Sequence, residues 1–210
     1  MKKSLLLGMF SLVAGAATSF GQGYIALDNY ASNGSATGPG FVNYGAAVRV
    51  NGISGTLGTV GTGLGTGWTA GLYFVVGTPV ISDPAGSGMP NAGLGLASGP
   101  GSTVAFYDTS FSTVGTFSPG LPLNISASGT PTITAEVVAY DTAGGSYLNA
   151  QFRGHSAPFN MPSVGSLATA KPLVGDYFTT FQVLPVPEPS TLALAGLGGL
   201  SLLLMRRKKA

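Results

Sequence analysis

Between residues 22 and 187 no apolar run keeps a 3.6-residue period for more than about two turns, because glycine, proline or serine interrupts each one. That interruption removes helices as the organising element of the chain. What remains are short runs rich in β-branched and aromatic residues. They are "GYIALDNY" (23–30), "AAVRVN" (46–51), "WTAGLYFVVG" (68–77), "STVAFYD" (102–108), "LPLNIS" (121–126), "PTITAEVVAY" (131–140) and "DYFTTFQVL" (176–184). The clearest alternation lies in 132–140. Ile133, Ala135, Val137 and Ala139 share one face, and Thr132, Thr134, Glu136, Val138 and Tyr140 share the other. About seven strands separated by turn-rich loops predict an all-β fold, a β-sandwich, with a meander or partial barrel as the alternative.

Hydrophobic residues make up 44% of the chain, enough to build a core despite 34 glycines and 14 prolines in 210 residues. The glycines concentrate in the stretch 51–67, where Gly55, Gly58, Gly61, Gly63, Gly65 and Gly67 leave little side chain to pack. This segment is expected to be a long flexible loop or a loose hairpin at the sheet edge. A phosphate-binding turn is not expected there, since no strand precedes it, no helix follows and no lysine is near. With no cysteine, the domain has neither disulfides nor thiolate ligands, and packing must hold it together. The net charge of +2 comes from the two ends. The body carries Arg49, Arg153 and Lys171 against Asp28, Asp83, Asp108, Glu136, Asp141 and Asp176. It has no basic patch, so nucleic acid is not an expected partner.

Both ends have the composition of addresses. In 1–21, Lys2 and Lys3 precede an apolar stretch from Leu5 to Ala17 and then small residues, as in a secretory signal helix with cleavage after Ser19 or Gly21. At the other end, Thr191 to Met205 would span about 22 Å as a helix, short for a hydrocarbon core of about 30 Å. Arg206, Arg207, Lys208 and Lys209 follow as membrane-stop cations that snorkel and stay cytoplasmic. The expected organisation is a signal peptide at 1–21, a body at 22–185, and a terminal signal at 186–210 with a transmembrane helix at 191–205.

The order Pro187-Glu188-Pro189-Ser190, short apolar helix, then Arg206 to Lys209 resembles the PEP-CTERM sorting signal of Gram-negative bacteria. The resemblance implies that an exosortase, a membrane enzyme of the transpeptidase type, processes the chain at or near that motif after export through the secretion translocon. It also implies an inner-membrane-anchored precursor and a mature protein in the cell envelope or on the extracellular surface. Proline lacks an amide hydrogen and disfavours helix in the residue before it, so Val186 and Glu188 are pushed toward extended backbone. A weaker resemblance covers part of the body, to an exported β-rich group found among PEP-CTERM proteins of verrucomicrobial type. Its marks are Tyr140-Asp141 after the long strand and a Gly-x-Ser turn at Gly154 to Ser156. It implies architecture and no catalytic residues.

Chemistry is sparse in the body. The one histidine, His155, is expected in a surface loop, and no His-x-His or H-E-x-x-H spacing supplies further metal ligands. No G-x-S-x-G elbow accompanies it. Glu136 is the body's one glutamate and is expected to face solvent in mid-strand; a glycosidase would need Asp108 or Asp141 beside it. Loop carboxylates such as Asp83, Asp108 or Asp141 suit calcium, but no D-x-D-x-D-G loop is present. Trp68, Tyr73, Tyr107, Tyr140 and Tyr147 could stack on sugars if they line up outward, although aromatics at strand spacing are more often core. The expectation is therefore no catalytic residues, no metal and no cofactor. The chain is read as a non-enzymatic exported protein with a structural or adhesive role in the polysaccharide matrix. A carbohydrate-binding module is the alternative, and a secreted glycoside hydrolase a more distant one.

Overall fold

The computed structural model describes residues 23–30, 40–107, 115–118, 121–126, 129–167, 169 and 171–186. Within them the fold is all-β, and the regular helical pieces are two 3-10 turns, Thr142–Gly144 and Val174–Asp176. The expected signal helix at 1–21, the sorting residues Pro187 to Ser190, the span 191–205, the cations Arg206 to Lys209, and Asp108 all lie outside the described residues.

The strands are β1 (Gly23–Ala26), β2 (Val42–Tyr44), β3 (Arg49–Asn51), β4 (Ser54–Leu57), β5 (Trp68–Val76), β6 (Gly95–Leu96), β7 (Thr103–Ala105), β8 (Pro122–Ser126), β9 (Ile133–Asp141), β10 (Phe152–His155), β11 (Phe159–Met161) and β12 (Phe181–Pro185). Eight of them form one sheet in the order β2-β12-β10-β9-β5-β6, with β11 also on β9 and β7 also on β5. The ribbons β1-β8 and β3-β4 complete the set. Thus the glycine-rich stretch contributes a hairpin strand, β4, before it turns at Thr59 to Thr62.

The antiparallel pair β5-β9 is the backbone of the sheet, in register from Trp68 opposite Asp141 to Val76 opposite Ile133. The alternation in β9 sends Ile133, Ala135, Val137 and Ala139 into the main core. Ile25, Leu123 and Ile125 of the β1-β8 ribbon close over the same core, together with Trp68, Phe106, Phe117 and Phe178. The opposite face of β9 is covered as well: Val138 and Tyr140 pack with Tyr147 and Ala150 in a second, smaller cluster against Tyr73. Every residue of β9 is therefore buried, the mark of a strand covered on both faces.

Three sequence readings change here. The run 176–184 is a strand only from Phe181, because Phe178 and Phe181 both enter the core three residues apart, a spacing a strand cannot supply. Phe178 instead follows a 3-10 turn and stacks on Phe117, ring centroids 6.5 Å apart. The expected turn at Gly154 to Ser156 is the end of β10, where Gly154 pairs with Ala139 and His155 with Val138. Finally, Asp141 is not a free loop carboxylate. It is 1% exposed and caps the first 3-10 turn, its Oδ1 accepting from the Gly144 amide at 2.9 Å and its Oδ2 from the Phe152 amide at 3.1 Å. Asp141→Ala strands two partly buried donors and should cost about 2 kcal/mol, measurable as a lower urea midpoint at unchanged slope.

Candidate functional site

The chemistry of the body gathers on the outer face of β9, where three distant segments meet. β10 and β11 pair with the same edge of β9 in succession. His155 lies opposite Val138 and Phe159 opposite Ala135, so residues 156–158 face only Glu136 and Val137. This is a β-bulge, a feature that re-aims side chains. Its gap is sealed by Ser156, whose Oγ accepts from the Val137 amide at 3.0 Å while its own amide donates to the Val137 carbonyl at 2.8 Å. His155 is thereby set beside Glu136, with Nδ1 3.5 Å from Glu136 Oε2 and 3.0 Å from the Ser156 carbonyl oxygen.

The third segment is the connection between β5 and β6. Gly77, at φ 102°, turns the chain out of β5, and Pro79, Pro84 and Pro90 keep it from continuing as a ladder strand. It folds back over the sheet and is stitched down. Gly86 and His155 exchange two backbone hydrogen bonds at 3.2 and 2.7 Å. The Asn91 amide donates to Glu136 Oε2 at 3.3 Å. Arg153 donates to the Ser87 carbonyl at 3.0 Å, and the Tyr147 hydroxyl donates to the Gly88 carbonyl at 2.8 Å. Burial raises the Tyr147 phenol far above its ordinary range, so it remains a donor. Asp83, just upstream of these tethers and partly buried, is delivered to Glu136 and His155, and one ligand atom from each of the three lies within 4.8 Å of the others.

Glu136 is 0% and His155 2% exposed. The solvent-facing strand position and the surface-loop histidine expected from sequence are both corrected. Alternation placed Glu136 on the proper face of β9, but that face is roofed by the β5-β6 connection and by residues 147–150. Burial, with the Asp83 charge beside it, lifts the Glu136 carboxyl to about 7, opposed by the Asn91 amide. The nearby cation does not neutralise it: Arg153 is spent on the carbonyls of Ser87, Tyr147 and Leu148 and on the Tyr147 ring, 4.9 Å away. Glu136 Oε1 has no hydrogen-bond partner among the described residues.

A stability consequence follows from that raised value. The unfolded carboxyl titrates near 4.5 and the folded one near 7, so the folded state holds its proton longer. Stability contributed by the protonated carboxyl is full below about 4.5 and lost as pH rises through about 7. In metal-free buffer the wild-type melting temperature should fall between about pH 5 and pH 8 relative to Glu136→Gln, which keeps the shape without the titration. Parallel curves for the two proteins would refute this.

The other candidates are dispersed. Asp141 caps a turn and is not among the three residues that meet at Glu136. Of the aromatics considered for sugar stacking, Trp68 is fully buried and donates its indole N–H to the Val50 carbonyl at 3.1 Å. Tyr140 and Tyr147 are buried in the second cluster, and Tyr73 and Tyr107 are half-buried. They form no outward row. A groove of about 590 Å³ lies instead between Tyr44 and the β3-β4 hairpin, lined by the hydroxyls of Thr56, Thr59, Thr62 and Thr66 and by no carboxylate or cation.

Where the body ends, the terminal signal begins. β12 runs to Pro185 between β2 and β10, and the Val186 amide still donates to the Gln151 carbonyl at 2.8 Å. Residues 185–209 match the family model described as the PEP-CTERM protein-sorting motif. That motif marks an exported protein that is anchored in the membrane by its C-terminus before processing, and it implies an exosortase as the processing partner. The match covers the terminal signal and, of the β-rich body, only Pro185, the last residue of β12. No curated protein and no solved structure shows significant similarity to the chain.

Proposed function

We propose that the chain is a cell-envelope protein of a Gram-negative bacterium whose all-β body, arranged as a sandwich, is released from the membrane by an exosortase acting at or near Pro187-Glu188-Pro189. In the extracellular polysaccharide matrix it serves as a structural or adhesive component and not as an enzyme. The observation that carries this reading is the sorting motif at 185–209, which begins at the last residue of the last core strand. The non-enzymatic part is supported by Glu136. A carboxylate oxygen of Asp83 lies within 4.8 Å of it, but a fully covered carboxyl cannot reach a glycosidic oxygen. The sandwich is supported by the β1-β8 ribbon, which closes over the core opposite the large sheet.

Deleting the exosortase from the producing cell tests the sorting. The chain should shift from the matrix fraction to the inner membrane at higher mass, with its N-terminus at residues 20–24 in both fractions. An unchanged distribution would defeat the reading. Incubation with the cell's own purified polysaccharide tests the role: co-sedimentation without new reducing ends is expected, and released reducing ends would favour a hydrolase.

A further inference from the structure

We propose that Asp83, Glu136 and His155 form a divalent-cation site for a borderline transition-metal ion, Zn2+ being the best fit. Three independent features converge on it. The first is the meeting of one imidazole and two carboxylates from three separate segments, their ligand atoms within 4.8 Å of one another. The second is Glu136 Oε1, completely buried and without a hydrogen-bond partner. A buried carboxylate oxygen left unpaired costs stability, and a cation is the partner that removes this cost. The third is the absence of a competing cation among the described residues: Arg153, two residues from His155 on the same strand face, is engaged by carbonyls and the Tyr147 ring.

The donor set selects the ion. Calcium and magnesium take oxygen ligands, typically six or more, whereas an imidazole with two carboxylates and room for water is a zinc-type shell. Ligands about 2.1 Å from a tetrahedral ion are about 3.4 Å apart. With the ligand atoms within 4.8 Å of one another, at most a modest closure is needed, and it falls to Asp83, the partly exposed member on the loop. Glu136 and His155 are already fixed, the latter by the Ser156 carbonyl at its Nδ1, an outer-shell contact of the kind that orients ligating imidazoles. The bound ion joins β9, β10 and the β5-β6 connection at one point. In a cysteine-free exported domain this is a cross-link that a disulfide would otherwise provide.

The chain's composition makes the test clean, since it holds one histidine and no cysteine. The untagged full-length chain, purified in detergent and stripped with chelator, is titrated with ZnCl2, MnCl2 and CaCl2 by calorimetry. Zinc should bind one per chain and at least about 100-fold more tightly than calcium. The melting temperature should rise by about 5–10 °C at saturating zinc, while the far-UV spectrum of the metal-free chain stays β-rich because the main core does not depend on the ion. The single imidazole's 15N resonances should shift on zinc addition. Asp83→Asn, a loop change that leaves the core intact, should weaken zinc at least about tenfold without altering the metal-free spectrum. Absence of zinc binding, zinc binding that leaves the imidazole resonances unmoved, equal affinity in Asp83→Asn, or calcium binding tighter than zinc would each overturn the proposal.

Discussion

Replacing Pro187 and Pro189 together by alanine should abolish release of the chain from the membrane. Each proline disfavours a helix interior by about 3 kcal/mol relative to alanine, so the double variant allows helix to run back through Glu188 toward Val186. An extended segment just outside the bilayer, the form a membrane-bound protease can hold, is then lost. In a host carrying the exosortase, the wild-type surface protein should lack residues 191–210, and the variant should remain full-length in the inner membrane. The folded body limits where the cut can fall. Phe181 and Val183 of β12 are core residues, and the Val186 amide is still bonded to Gln151, so a cut upstream of Pro187 would open the sheet. The mature C-terminus should therefore lie at or beyond residue 187. Intact-mass measurement decides the matter: surface protein that retains Arg206 to Ala210, or processing indifferent to the two prolines, would show a permanent anchor instead.

Gly154→Ala should be among the most damaging single-methyl changes in the body. Gly154 sits in β10 between β9 and β12, and a Cβ there would stand 2.3 Å from the Gln182 carbonyl oxygen and 3.1 Å from the Val183 Cα. Both are backbone atoms of a central strand, so relief requires β12 to move away from β10. That movement would disturb the ladder at Phe152–Pro185 and Arg153–Leu184 and the burial of Phe181 and Val183 together. A cost of about 3 kcal/mol is expected, the upper range for overpacking, seen as a melting temperature lower by about 6–12 °C. It should also weaken the outer site, because Arg153 and His155 flank the glycine. Gly61→Ala serves as the comparison. A Cβ there meets nothing within 4 Å, so only the φ of 84° is strained and the loss should be about 1 kcal/mol. Equal losses at the two positions would show that chain entropy, and not the close approach of β10 to β12, sets the cost at Gly154.

Much of the fold was legible in local sequence. The alternation in 132–140 correctly separated the core face of β9 from its other face, since side-chain direction in a strand is fixed by a period of two. All seven runs read as strand-forming contain a strand, although their limits moved wherever the core needed a spacing that a strand cannot provide, as at Phe178 and Phe181. Strands β2, β6, β10 and β11 escaped notice because they have two to four residues and no alternation of their own; β10, "FRGH", is a strand only because β9 and β12 lie on either side of it. The terminal signal was fully legible, since its three parts lie in consecutive residues and act through local backbone and hydropathy.

The site was not legible, and for a definite reason. Asp83, Glu136 and His155 stand 53 and 19 residues apart in the chain, with no motif spacing, and each alone has the ordinary meaning of a surface polar residue. Sequence determined that Glu136 would leave the main core face of β9. It could not determine that the β5-β6 connection would be tied over that face by Arg153, Tyr147 and the Gly86–His155 bonds. Nor could it show that a bulge at 156–158 would turn the imidazole toward the carboxylate. Those are consequences of non-local pairing, in which one strand's neighbours decide whether its polar face meets water or a second layer of protein. Local pattern fixed the strands and the address; tertiary closure alone turned a carboxylate and a histidine inward and left an oxygen without a partner.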